Sequence, residues 1–432
     1  MNDMRFENAL ARGLNRITRT ALGPYQAAVV RIGFSFTWFV FLLREWPHRA
    51  ELYGPDGPWS WDMARRLIAD NDAFTVLMWS DSGFWFELVY LLALTSAALL
   101  LLGWRTRTMS VLFMLGVLAM QNRSVFMGDG GDNVIRLMAL YLMFLRCGTV
   151  WSLDARRRAR RAAATGAPAD ASGKPSEAPD APEEPADAPT AGAAVATKLR
   201  STRSGRDATG VVLWSLLGAG LVTATLLGLL SGGWALLFWG LWTGHALWWL
   251  ACRHAVGSEI PAVMRIVGNL VHNGAFLVIV TEVCLIYATA GWYKIQGSRW
   301  QDGTALYYPM HLDYFSPWPA LSEALAASGV MVMLITYGTV IVQVAFPFTL
   351  FNRRVKNVLL ALMITEHAGI AVLLGLPFFS LAMIAADAVF LPTSFLRRLG
   401  HRAAGLRARL VHRRKPGVSE AGPAERERTL VG

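Results

Sequence analysis

The stretch from Ala290 to Pro319 gathers the residues best able to do chemistry. It reads Ala290-Gly291-Trp292-Tyr293-Lys294-Ile295, then Trp300-Gln301-Asp302-Gly303-Thr304-Ala305, then Tyr307-Tyr308-Pro309 and His311. Lys294 falls where a long apolar run ends, among rings. In a partly desolvated aromatic pocket a lysine is available as a neutral amine, which can act as a general base or hold an oxidised cofactor. Trp292, Tyr293, Trp300 and His311 would line such a pocket, with Asp302 beside them. The competing reading is an interfacial lysine that snorkels its ammonium to water between aromatic anchors.

A second set of candidates lies inside apolar runs: Arg31, Arg136, Glu282, Glu366, His367 and Asp387. Ionisable groups are costly there, so each is a candidate for function. Arg136 and Glu282 stand at matching depth and could pair. Buried pairs that fix helix register and a polar pocket or proton route both remain open. The segment Gly128-Asp129-Gly130-Gly131-Asp132-Asn133 has two carboxylates but not the ligand spacing of a calcium hand. It reads as a turn with Asp132 as N-cap of the next helix, and Asp132 and Asn133 join the binding candidates. Tyr53-Gly54-Pro55-Asp56-Gly57 is another turn sequence. Cys147, Cys252 and Cys284 have no metal-ligand spacing, and neither a metal site nor a disulfide is inferred.

The elements that must position these residues are membrane helices. Of 432 residues, 54% are hydrophobic and 16% charged, and mean hydropathy is +0.37. Soluble domains carry about a quarter charged residues, so this surplus of apolar surface requires an apolar solvent. Seventeen tryptophans suit the membrane–water interface. Apolar runs predict about ten spans, at 24–43, 84–103, 108–122, 134–150, 209–230, 233–252, 268–291, 329–351, 357–376 and 378–396. With the N-terminus inside, Arg105, Arg107, Arg156–Arg158, Arg160, Arg161, Arg253, Arg353, Arg354, Lys356 and the tail from Arg397 all fall on the cytoplasmic side, as the positive-inside rule requires. The C-terminus is then inside too. The net charge of +11 is therefore assigned to cytoplasmic flanks that meet anionic lipid, and not to nucleic acid.

The expected organisation is a cytoplasmic segment 1–23, a four-span half 24–154, a disordered linker 155–208 rich in Ala, Pro, Asp and Glu, a six-span half 209–396 whose 209–252 hairpin reads as an insertion or a re-entrant pair, and a basic, weakly ordered tail 397–432. The fold class is all-α, a multi-pass helical bundle of the cell membrane. The N-terminus has no signal-peptide pattern.

The Ala290-Gly291…Lys294…Trp300…Gly303 pattern resembles the HTTM family, the membrane domain shared by vitamin K-dependent gamma-carboxylases and many bacterial proteins. Lys294 matches the position of the carboxylase's catalytic lysine, with one more residue between lysine and tryptophan. Further echoes are the Tyr53–Gly57 turn, Asp132-Asn133 opening a helix, Trp151-Ser152-Leu153-Asp154 after it, and Glu366-His367 followed by Pro377 and Phe379-Ser380. The similarity covers most of 24–396, apart from the linker and the 209–252 hairpin. It implies a helical membrane fold and a quinone as possible cofactor or substrate. Three departures separate the chain from the carboxylases. Gly131, Asp132 and Asn133 stand where they have a histidine. Tyr293 stands where they have a second lysine. A short basic tail takes the place of their lumenal substrate-binding region.

Three functions are compatible with these residues. The first is an accessory or interaction protein for a secreted peptide or another membrane protein. The second is an enzyme of the carboxylase-like type, with Lys294 as base for a lipophilic substrate at an outward-facing site. The third is a transporter of a lipophilic or acidic solute, which intramembrane Glu366, His367 and Asp387 favour.

Overall fold

The computed structural model describes residues 2–164, 208–254 and 259–413. Every regular element among them is helical. In chain order the main helices are α1 (Asn2–Arg19), α2 (Pro24–Glu45), α3 (Trp61–Asp70), α4 (Gly83–Leu102), α5 (Thr106–Arg123), α6 (Gly130–Leu142), α7 (Leu153–Ala164), α8 (Ala208–Leu226), α9 (Gly232–His254), α10 (Ile260–Gln296), α11 (Gly329–Ala345), α12 (Arg353–Leu373), α13 (Pro377–Asp387) and α14 (Thr393–Arg413). The chain forms two compact units, Met1–Leu391 and Pro392–Gly432. In the second, α14 runs from Thr393 to Arg413, and the rest of the expected basic tail, 414–432, lies outside the described residues.

Among the described residues, six helical stretches are long and apolar enough to cross a membrane: Pro24–Tyr53, Gly83–Leu102, Ala208–Leu226, Ala262–Gln296, Gly329–Thr349 and Arg353–Leu373. A seventh arises only if Pro377–Phe390 and Thr393–Leu406 are counted as one broken span. The expected 134–150 span is shorter, because α6 ends at Leu142 and the chain turns. A helix of that length rises about 20 Å, against a hydrocarbon core of about 30 Å. The turn is held from outside: His272 Nδ1 accepts from the Arg146 backbone N–H at 3.0 Å. The expected 378–396 span is also cut short, where α13 gives way to a 3-10 turn and an extended Leu391 before Pro392. Most of the expected linker, 165–207, lies outside the described residues, and its first part, 155–164, is the arginine-bearing end of α7.

Small residues let the helices approach. A Cβ on Gly33 of α2 would lie 2.5 Å from Ala385 Cβ of α13, and one on Gly116 of α5 would lie 2.7 Å from Ala93 Cβ of α4. The apolar core runs through α2, α4, α5, α6, α10, α12 and α13, with Trp38, Phe34, Phe113 and Tyr287 almost wholly buried. The hairpin α8–α9 is joined by a reciprocal tryptophan pair. The rings of Trp214 and Trp242 stack at 4.0 Å, and each indole N–H donates to the other's backbone carbonyl, at 3.3 and 3.1 Å.

Two polar devices fix the ends of the bundle. Arg31 is fully buried. Its Nη1 donates to the carbonyls of Leu100 (2.7 Å) and Leu101 (3.3 Å) in the last turn of α4, and Nη2 donates to that of Trp151 (2.8 Å). A cation at a helix C-terminus satisfies carbonyls that have no partner in the helix. Close by, the Asp154 carboxylate accepts from the backbone N–H groups of Arg105 (2.9 Å) and Thr106 (2.8 Å). It thereby caps α5. Along α10, Asn269, His272 and Asn273 clasp the end of α1. Asn273 donates to the carbonyls of Ile17 (2.8 Å) and Thr20 (2.9 Å) and accepts from Leu22 N (2.7 Å). Asn269 donates to Thr18 O at 2.8 Å. Since His272 Nδ1 accepts from Arg146 N, Nε2 carries the hydrogen that faces Leu22 O at 2.8 Å.

Candidate functional site

Lys294 lies in the last turn of α10, facing α11 and α12. Its Nζ donates to Gln343 Oε1 of α11 at 2.8 Å, and Gln343 Nε2 donates to Glu366 Oε1 of α12 at 2.6 Å. The ammonium nitrogen stands 5.2 Å from the centre of the Trp300 ring, within cation–π range. Gln343 is only 5% exposed, and Lys294 and Glu366 at the two ends of the line are half-buried. An amide between an amine and a carboxyl group can sit either way round. As placed, it suits an ammonium and a carboxylate. Turned over, it donates to a neutral amine and accepts from a protonated carboxyl. The line can therefore exchange its proton arrangement with no net change in buried charge.

A second buried chain lies beside it. The Tyr287 hydroxyl of α10 donates to Asp387 Oδ1 of α13 at 2.9 Å and meets His367 Nε2 of α12 at 3.0 Å. A phenol has one hydrogen, here given to Asp387, so His367 Nε2 is the donor in the other contact. His367 Nδ1 and Asp387 Oδ2 are buried without partners. Phe346 and Phe379 pack edge-on against Tyr287 and His367.

The remaining site candidates converge elsewhere. At the start of α6, Asp129 and Asp132 form a capping box: Asp129 Oδ1 accepts from Gly131 N (2.7 Å), and Asp132 Oδ2 accepts from Asp129 N (2.8 Å). The N-cap is thus Asp129 and not Asp132, which sits one turn in and returns the bond. Gln121 of α5 donates to Asp132 O (3.0 Å) and accepts from Arg136 Nε (3.1 Å). These groups, with Asn133, Trp38, Phe41 and Tyr53, line a cavity of about 240 Å³. Burial pushes the Asp132 carboxyl up from 3.8 to about 6, against the opposing effect of its hydrogen bond from Asp129. Raised in the folded state, this group favours folding when protonated, and that contribution is lost as pH rises through about 6. The wild type is therefore expected to gain thermal stability over Asp132→Asn as pH falls from about 6 to 3.8. Parallel melting curves for the two proteins across that window would refute the assignment.

Several candidates stand apart from both places. Trp292 and Tyr293 are 61% and 73% exposed and do not line the Lys294 site. His311 is exposed and lies against the Tyr307 ring in a tilted arrangement, with ring centres 4.0 Å apart. Asp302 is exposed, and its carboxyl is held below the usual range chiefly by the Thr304 hydroxyl. Glu282 accepts from Tyr141 Oη at 3.2 Å, so the expected pair with Arg136 is not formed. Arg31 is occupied in tying helix ends. Among the described residues, no three His, Cys, Asp or Glu side chains converge in a way that could hold a metal ion.

Comparison with family models, curated proteins and solved structures gave no match.

Proposed function

We propose that this protein is a multi-pass cell-membrane protein with both termini in the cytoplasm, whose outward-facing end carries an acid–base site for a lipophilic, quinone-like substrate, with Lys294 as the base. The observation that carries this reading is the Lys294–Gln343–Glu366 line. As a neutral amine, Lys294 accepts the proton of a weakly acidic hydroxyl: the O–H bond breaks, an N–H bond forms, and the new charge at Nζ faces Glu366 through one amide. The Trp300 ring offers a flat wall suited to a flat lipophile. The resemblance to the HTTM family supports the same placement. The basic flanks, Arg156–Arg158 of α7 among them, would rest on anionic lipid.

Detergent-purified wild-type protein is expected to retain a quinone-class lipid above the level of a control membrane protein purified alongside it. Quinone content at the control level, in wild type and Lys294→Ala alike, would remove this reading.

One observation favours a second reading, an accessory protein for a secreted peptide or membrane partner. Trp292, Tyr293, Tyr314 and Trp318 are 61–85% exposed on the Lys294 side of the chain. Exposed aromatic groups of this kind mark protein or lipid contact. Under this reading a partner co-purifies, and substitutions at Lys294 are tolerated.

A further inference from the structure

The buried chain Tyr287–His367–Asp387 ends in a bare lone pair on each side. With the Tyr287 hydrogen given to Asp387 Oδ1 and His367 Nε2 donating to the phenol oxygen, the unpartnered atoms His367 Nδ1 and Asp387 Oδ2 are both acceptors without a donor. Asp387, Tyr287 and His367 are 0%, 1% and 2% exposed, so a carboxylate here is out of water. That state is costly unless a cation or a proton joins it. On the helices packed against α13, Arg31 of α2 is bonded at the end of α4, Arg136 of α6 at Gln121, Glu282 of α10 at Tyr141, and Lys356 of α12 at the Phe390 carbonyl. Glu366 is next to His367 in sequence and accepts from Gln343.

One added proton neutralises the chain, and His367 Nδ1 is a place for it. There it makes an imidazolium that faces Asp387 through the phenol. From that state Nε2 gives its hydrogen to Tyr287 Oη, while the phenol O–H bond breaks and its hydrogen passes to Asp387 Oδ1. The products are a neutral imidazole, an intact phenol and a carboxylic acid, with every heavy atom where it stands. The chain is thus negative when empty and neutral when loaded.

Tyr287 and Lys294 lie about two turns apart on one face of α10, a rise of about 10 Å. Below Tyr287 the same face presents Val283 and Ile279, both 0% exposed, so the chain is closed on that side and Lys294 is its charged neighbour along the helix.

We propose that the proton held by Tyr287, His367 and Asp387 regulates Lys294 by setting its charge. The empty chain places a negative charge below Lys294 and holds it as an ammonium. The loaded chain removes that charge and leaves the neutral amine. The two states, ammonium with empty chain and amine with loaded chain, have the same net charge, so a base becomes available without burying an extra one. The effect on activity rests on the reading of Lys294 as the base; the coupling between the two places does not. One charge at about 10 Å, at an effective dielectric constant of about 20, changes a protonation equilibrium by about tenfold.

The test reads the amine directly. The full chain in detergent is pulsed with acetic anhydride at graded pH, and acetylation of Lys294 is read by mass spectrometry against an added lysine peptide. Only the neutral amine reacts. Asp387→Asn keeps an acceptor for Tyr287 and carries no charge. Below the plateau, its Lys294 is expected to react about tenfold faster than in wild type at the same pH, with an equal plateau at high pH. Equal plateaus show that access is unchanged, so a structural role alone would not produce this shift. Superimposable curves overturn the proposal, and so do curves that differ only in plateau. Asp387→Leu replaces the Asn variant if that protein is not monodisperse. If neither folds, Glu366→Gln decides: a Lys294 curve broader than one proton supports coupling to the chain, and a single-proton curve overturns it. Quinone content is measured on the same samples. A shifted curve with quinone at the control level keeps the coupling and removes the reading of Lys294 as base for a quinone-like substrate. An unshifted curve with quinone retained removes the coupling alone.

Discussion

Arg31→Leu is expected to lower stability more than any other single substitution considered, by about 3 kcal/mol or more. The side chain is fully buried, and two of its nitrogens satisfy the carbonyls of Leu100, Leu101 and Trp151. Leucine fills much of the same volume and donates nothing. The final carbonyls of α4 would then lie buried without partners, each costing about 1–3 kcal/mol. The loss would also free the Trp151 segment, which has a backbone φ of 50° and leads directly into Asp154, the cap of α5. Arg31→Lys tests the geometry. A single ammonium on a shorter stem cannot span carbonyls on two elements as a planar fork does, so it should recover only part of the loss. The measurement is unfolding of the purified protein in detergent, by heat or by SDS titration. A melting temperature for Arg31→Leu equal to wild type would show that water reaches this site and that the fork is not needed.

Arg31 also shows what the sequence can and cannot tell. An arginine in an apolar run is visible at once as costly. Its partners are backbone carbonyls, which have no residue type, so no pattern of letters could separate this structural pin from a functional charge. The helices themselves were legible, because apolar runs of the right length must be helical in a bilayer. The span at 24–43 and the paired hairpin helices at 209–252 appear close to their expected bounds. The far end of α10 was not. The apolar run stops at Gly291, yet the helix continues to Gln296. That error misplaced Trp292 and Tyr293. On a helix successive residues turn by about 100°, so neither can share a face with Lys294. Gln343, Tyr287 and Trp38 were missed for the opposite reason. Each lies in a long apolar segment as an uncharged residue, and only contact with Lys294, His367 or an open cavity distinguishes it from core.

Lys294→Met is expected to reduce activity by about 10²–10⁴-fold, the usual contribution of a general base, with the fold intact. The prediction rests on a difference between two kinds of lysine. A snorkelling lysine serves by placing any cation at the interface, and Lys294→Arg would then be neutral. A base must be able to lose its proton, and arginine does not. Lys294→Arg should therefore fail nearly as badly as Lys294→Met. The amide provides an independent check. Gln343→Leu leaves Lys294 in place and removes the group that relays charge between Nζ and Glu366. If the line works as a unit, Gln343→Leu and Glu366→Gln each lose much of the activity, and the double variant with Lys294→Met loses little more than Lys294→Met alone, since members of one unit are not additive. Complementation of a deletion strain, with expression and monodispersity matched, reads all of these. Full rescue by Lys294→Arg together with Gln343→Leu would leave the lysine as an anchor, and chemistry at this end of α10 would have no base.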